Sequence, residues 1–235
     1  MDDHVGDVLG AEGPFAREVP GFVPREVQMA MAEAVAAAID ERHTLIAEAG
    51  TGTGKTFAYL VPALLSGKRV IVSTGTKALQ DQLFHRDLSR LLGALKLSPK
   101  VALLKGRANY LCLHRLQIAE SEGHYLRRED VLQLRQIKTL AAKTREGDRA
   151  ELSSVPEDAP IWAQATSTSD NCLGGECPFL EECHVVRARR KAQAADLVVI
   201  NHHLLFADMA LKQEGFAELL PGAELIVLDE AHQMV

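Results

Sequence analysis

Apolar residues recur along this chain in two rhythms. Short, nearly unbroken apolar runs occupy residues 43–49 (HTLIAEA), 69–74 (RVIVST), 101–106 (VALLKG), 197–201 (LVVIN) and 224–230 (ELIVLDE). Such runs predict strands buried on both faces, as in a parallel sheet. Between the first three lie stretches with helical spacing, FAYLVPALLSG (57–67) and KALQDQLFHRDLSRLLGAL (77–95). A further helix is predicted from Pro24 in PREVQMAMAEAVAAAIDERH, where proline stands near the start and alanine fills the interior. The order β-α-β-α-β predicts an α/β domain with a parallel sheet and crossover helices.

The pattern breaks between Gly106 and Ala195, where no run reads as a buried strand. Helical stretches are predicted over Tyr110–Glu120 and Tyr125–Arg145, followed by a polar loop, DRAELSSVPEDAP (148–160). A cysteine-bearing loop and the helix LEECHVVRARRKAQAA (180–195) close the segment. That helix has acids at its start and bases at its end, as the helix dipole prefers. The predicted organisation is a loose N-terminal arm (1–20), an α/β domain in two parts (21–105 and 196–235), and an insertion (106–195) between them.

Composition changes this picture little. The 235 residues are 47% hydrophobic and 25% charged, ordinary for a globular chain. The acidic start lacks the apolar run of a signal peptide, and no window of about 18 apolar residues reads as a membrane span. A cytoplasmic chain with reduced thiols and no membrane partner is therefore expected. The net charge of −6 does not itself point to nucleic acid. Basic residues nevertheless cluster at Arg187, Arg189, Arg190 and Lys191, at Arg127–Arg128, and at Lys105 and Arg107 around Gly106. Such clusters bind nucleic acid or are simply solvated helix faces.

Two motifs carry recognisable chemistry. AGTGTGKT (49–56) lies between a predicted strand and a predicted helix, the context of a phosphate-binding loop. Gly50, Gly52 and Gly54 let the backbone turn N–H groups towards phosphate oxygens. Lys55 can reach the β- and γ-phosphates of ATP, and the Thr56 hydroxyl can hold Mg²⁺. Ala49, Thr51 and Thr53 complete the loop; Ala49 stands where the usual pattern has glycine. The second motif, LIVLDEAH (225–232), ends an apolar run in two carboxylates, at the strand end where α/β sheets bind ligands. Asp229 would hold Mg²⁺ and Glu230 would orient the attacking water.

The four cysteines are spaced Cys112–x59–Cys172–x4–Cys177–x5–Cys183. A reducing compartment weakens a disulfide reading. Structural zinc usually uses a tight C-x₂-C pair, which is missing; iron–sulfur ligation tolerates wider spacing. On spacing alone zinc, an iron–sulfur cluster and, for Cys112, a buried core thiol remain open. His202 and His203 are adjacent, so on a strand they would face opposite ways and not share one metal. Trp162 is expected to anchor packing more than to stack on a base.

Taken in order, these motifs resemble a superfamily 2 helicase motor. PREVQ (24–28) resembles the adenine-recognition motif, with Arg25 and Gln28 at its key positions, and EAGTGTGKT with DEAH resembles the ATP site. STGTKALQDQL (73–83) resembles motif Ia, whose matching residues Thr74, Thr76 and Gln80 contact single-stranded DNA. KGRANYLC (105–112) and ADLVVINHHLLFAD (195–208) resemble the segments flanking the cluster domain of XPD-like helicases. The chain is thus similar to the bacterial DinG/YoaA branch, and from PGFVPRE onward to its YoaA side. The resemblance implies a RecA-like lobe with helices on both faces of the sheet, ATP–Mg²⁺ as substrate, and a [4Fe–4S] cluster on Cys112, Cys172, Cys177 and Cys183. It implies ATP-driven 5′→3′ movement on single-stranded or forked DNA, with a replication or repair protein as a further partner. His232 would link hydrolysis to motion of a second lobe, and Arg187, Arg189, Arg190 and Lys191 would meet DNA phosphates. The pattern stops soon after DEAH, so the second lobe and its arginine finger are expected to be absent, leaving a chain that binds ATP–Mg²⁺ but does not unwind DNA alone. An open sheet edge is also expected. The alternative is a zinc-containing nucleic-acid-binding P-loop ATPase or signalling switch.

Overall fold

The computed structural model describes residues 5–19, 21–123, 125, 127–213 and 219–234. The chain divides into two compact units, 1–103 with 192–235, and 104–191. The predicted boundaries fell at 105/106 and 195/196.

The first unit is built on a parallel four-stranded sheet. Its strands are β1 (Val70–Thr74), β2 (Val101–Leu103), β3 (Leu197–Asn201) and β4 (Leu225–Leu228), in the order β2-β3-β1-β4. Registers Val72↔Val199 and Val72↔Val227 align the carboxyl ends of β1, β3 and β4 on one side. β1 and β3 are buried at every position, the burial expected of central strands covered on both faces. β4 alternates, leaving Ile226 and Leu228 exposed.

Helices α3 (Glu26–Glu41) and α4 (Lys55–Leu65) pack on one another in this unit. α4 is apolar and buries Ala58, Tyr59, Leu60, Val61 and Ala63. Side chains such as Leu60 and Val61, fully buried, contribute about 1.5–3 kcal/mol each. The helix predicted over 77–95 is present but interrupted. α5 (Lys77–Gln82) runs into a π-helical stretch, Leu83–Leu88, before α6 (Ser89–Leu95). The wider turn re-phases the apolar face, so that Leu83, Leu88 and Leu91 are all buried.

Two expectations are corrected here. Residues 43–49 form no strand; the segment is solvent-facing, with Ile46 93% exposed. A strand exists only through its ladder partner, and no described strand forms a ladder with this segment. The N-terminal stretch is not a loose arm. α1 (Val5–Leu9) and α2 (Pro14–Glu18) put Leu9 and Phe15 fully inside the core, where Phe15 meets Phe22 and Phe57 edge-on or tilted. Residues 1–4 and Pro20 lie outside the described residues.

The second unit is mainly helical, with α7 (Leu113–Glu122), α8 (Arg128–Ala141), the short α9 (Trp162–Ala165) and most of α10 (His184–Gln193). Its β content among the described residues is two isolated antiparallel bridges, Tyr110↔Asp148 and Leu111↔Thr166. Leu111, Leu116, Leu134, Ile137, Ile161 and Trp162 form its core. Trp162 is a packing anchor: it is 3% exposed, donates Nε1–H to the Pro156 carbonyl and carries the Arg149 guanidinium over its ring.

Candidate functional site

The glycine-rich loop enters α4 at Gly54, whose φ of 85° lies in the left-handed region, as does that of Gly52 at 77°. Side chains rarely take this backbone, and at Gly54 there is no room for one: a Cβ would strike the Gln28 amide, with Cδ 2.8 Å away. Gln28 is buried on α3 and donates Nε2–H to the Gly54 carbonyl at 2.9 Å. Gln28 thus braces the glycine-rich loop directly. Thr53 closes the loop by donating to the Gly50 carbonyl at 2.8 Å. Arg25 is exposed at the N-cap of α3, Thr51 is exposed and Ala49 half-buried.

Opposite the loop, β4 delivers Asp229 and Glu230. The Asp229 N–H still donates to the Ser73 carbonyl at 2.8 Å, so Asp229 is held in sheet register. Glu230 then turns the chain with a φ of 56°, unusual for a side-chain-bearing residue. This turn aims its carboxylate at Lys55, with Nζ–Oε1 at 3.3 Å, while the other carboxylate oxygen lies 3.5 Å from His232 Nδ1. Both partners of the Lys55–Glu230 pair are about three-quarters shielded, with side-chain exposures of 27% and 25%. Burial, then the charge of Glu230, pushes the Asp229 carboxyl above its usual range, partly offset by Tyr59 and Lys55.

Tyr59 was not singled out by sequence reasoning. Its hydroxyl is buried, makes no hydrogen bond of ordinary geometry and sits beside the two expected Mg²⁺ ligands, Thr56 and Asp229. Burial, then the charge of Asp229, raises the phenol well above its ordinary pKa, so it stays a neutral donor. Helical spacing was the available signal, since Tyr59 follows Lys55 and Thr56 at i+4 and i+3.

The motif Ia residues separate. Thr74 is fully buried and donates to the Thr76 carbonyl at 3.2 Å. Gln80 is also fully buried and donates to the Val199 carbonyl, clasping α5 to the sheet. Both side chains are thus engaged inside this unit. Thr76 is exposed, and its hydroxyl caps α5 by accepting from the Leu79 N–H. His202 and His203 open α11 (His202–Gln213) and do not lie on a strand. His202 is buried with Nδ1 2.7 Å from the Ser73 hydroxyl, whereas His203 is exposed.

In the second unit the four cysteines are free thiols, each half-buried. Cys112 is held at the start of α7, its N–H bonded to the Ala165 carbonyl. Burial pushes its thiol up, and the neighbouring Cys183 adds to this. Arg107 donates to the Cys172 sulfur at 2.9 Å, as does the Gly174 N–H at 3.4 Å. Arg189 is half-buried and faces Arg107, Cys172 and Cys183; burial and then Arg107 lower its pKa. Among the described residues, no three His, Cys, Asp or Glu side chains converge on one ion.

The basic cluster therefore does not form one stripe. Arg187 bonds to the Glu182 carbonyl and to His184, and Arg189 turns to the thiols. At the surface, Lys191 pairs with Glu146 at 2.5 Å and Arg190 with Glu181 at 3.9 Å.

A glycine-rich loop opening a helix, faced by an acid pair at the carboxyl end of a parallel sheet, defines a P-loop nucleotide-binding domain of the RecA-like α/β class. Residues 26–125 match the family described as DEAD/DEAH box helicase. It is 50% identical over 233 residues to the ATP-dependent DNA helicase YoaA of Haemophilus influenzae, covering 99% of this chain and 36% of that protein. YoaA of Escherichia coli is 50% identical over 228 residues, 97% of this chain and 36% of that protein. The ATP-dependent helicase DinG of Mycobacterium tuberculosis is 39% identical over 236 residues, 91% of this chain and 35% of that protein. The chain thus spans just over a third of the length of these relatives. Among the described residues no helix is long and apolar enough to cross a membrane.

Proposed function

We propose that this chain is the first motor lobe, with its cluster-bearing insertion, of an ATP-dependent DNA helicase. The observation that carries the reading is the approach of Lys55 to Glu230 at 3.3 Å, with Asp229 alongside. Incoming β- and γ-phosphates compete with Glu230 for Lys55. Releasing that ion pair frees the Glu230 carboxylate to orient the attacking water. Thr56 and Asp229 would hold Mg²⁺, which would neutralise phosphate charge; the loop N–H groups would take the remaining anionic charge, and Arg25 and Gln28 would flank the adenine. Thr76 and the exposed start of α5 meet the DNA backbone, and His232 passes the nucleotide state onward. The relatives' greater length supports a second lobe supplying an arginine finger, whose absence costs about 10³–10⁵ in rate. In the complete motor, movement on single-stranded or forked DNA would be 5′→3′, in replication or repair.

Four free thiols, one of them under an arginine hydrogen bond, fit a [4Fe–4S] cluster held by Cys112, Cys172, Cys177 and Cys183. Such a cluster spaces its ligands more widely than a single ion does. Bound there, it would tie the α7 start to the 172–183 loop and supply a one-electron redox centre.

The test is a titration with a fluorescent ATP analogue and Mg²⁺. Binding that Lys55→Ala weakens at least about tenfold, roughly 1.4 kcal/mol, is expected. Equal affinity in both chains would remove the nucleotide site from Lys55. Iron and acid-labile sulfide are then measured after anaerobic purification. About four of each per chain supports the cluster, the count of a [4Fe–4S] centre; zinc without sulfide would sink it in favour of a zinc-containing module.

A further inference from the structure

The geometry points to Gln233 as the positioning residue that carries nucleotide state from the DEAH turn to the loop at 74–76. β1 and β4 run side by side in register, Ser73↔Leu228, so the segments leaving their carboxyl ends are neighbours. After β4 the chain turns at Glu230 into the helical turn Ala231–Met234, where the Gln233 N–H bonds back to the Glu230 carbonyl at 2.9 Å. The Gln233 side chain then lies against Gly75. A Cβ placed on Gly75 would meet the Gln233 amide oxygen, with Cδ 2.6 Å and Cβ 3.3 Å away. The φ of Gly75 is not left-handed, so its lack of a side chain answers to this contact and not to backbone conformation.

The connection is short and made of named contacts. Lys55 touches Glu230, Glu230 is bonded to Gln233 through one turn of backbone, and Gln233 rests on Gly75. Gly75 lies between Thr74 and Thr76, whose hydroxyls fix the loop and cap α5. When phosphate draws Lys55 from Glu230, the strained turn at Glu230 is free to relax and Gln233 moves against the loop. This rests on the nucleotide-site reading above, and one glutamine then couples two sites in this unit.

The experiment is amide hydrogen exchange of residues 75–79, with Leu79 as the reporter because its N–H is held by the Thr76 cap. It is recorded with and without Mg²⁺ and a slowly hydrolysed ATP analogue, after a binding titration. The unaltered chain should change its exchange about fivefold or more, whereas Gln233→Ala should keep its nucleotide affinity within about twofold and lose that response. A response preserved in Gln233→Ala, or none in the unaltered chain despite bound nucleotide, overturns the inference alone. Failure of the unaltered chain to bind nucleotide overturns the functional reading and this inference with it. As a second measurement, Gly75→Ala should lower Tm, and adding Gln233→Ala should restore it. An equal loss in both backgrounds would show that the contact is not formed.

Discussion

At the scale of single residues, the proposed nucleotide site combines groups whose burial works against them. Asp229 is an acid kept above its usual pKa by burial and by Glu230. Its folded form therefore holds a proton more tightly than the unfolded chain does. Stability from this group is gained as pH falls through the raised folded value and is lost as pH rises above it. The proposed Mg²⁺ ligation runs the other way, because it needs the carboxylate. Mg²⁺-dependent nucleotide binding should thus fail on acidification earlier than an ordinary aspartate would predict, as a titration from pH 7 downward will show. Asp229→Asn should raise Tm at neutral pH and remove the Mg²⁺ dependence. Tyr59 poses the complementary case, a buried hydroxyl without a well-formed partner. Leaving such a group unsatisfied costs about 1–3 kcal/mol. Tyr59→Phe should therefore leave the fold at least as stable in urea titration while raising the Mg²⁺ concentration needed for nucleotide binding. Unchanged Mg²⁺ demand would mean that Tyr59 does not orient Asp229.

At the scale of elements, the insertion is held by polar contacts as much as by its core. Lys105 is buried and pairs with Asp148 at 2.6 Å, with side-chain exposures of 3% and 16%. Asp148 also caps the short turn Arg149–Glu151 in a reciprocal capping box and forms a bridge with Tyr110. One ion pair thus ties the segment leading to Cys112 to the loop before α9. Removing one member of a buried pair strands the other charge, at about 3–5 kcal/mol. Lys105→Ala should unfold the second unit at lower denaturant and expose 104–191 to proteolysis before the first unit. The same scale explains the motif Ia residues. Thr74 and Gln80 are polar letters in the sequence, but the sheet and α5 take up their hydrogen bonds internally.

At the scale of the whole molecule, both the sheet and the segment before the glycine-rich loop leave apolar groups in solvent. Ile226 is 51% and Leu228 43% exposed on β4, and Ile46 93% on the segment before the loop. A strand edge of this kind invites pairing with other chains. Ile226→Lys should raise the soluble fraction after expression without changing the circular dichroism spectrum; equal aggregation would place the sticky surface elsewhere. The local sequence determined most elements and picked out the glycine-rich, DEAH and cysteine motifs as candidates, because residue types and spacings are written along the chain. Helix α4, the buried runs of β1 and β3 and the helical insertion were legible for the same reason. Tertiary structure alone decided which polar residues are spent internally, where Arg107 and Arg189 point, that Tyr59 lies beside Asp229, and that Gln233 rests on Gly75. It also left 43–49 unpaired despite its strand-like pattern. These outcomes depend on neighbours distant in sequence: a ladder needs a second strand, a pKa needs an environment, and a contact such as Gln233 on Gly75 exists only once two strand ends have been brought side by side.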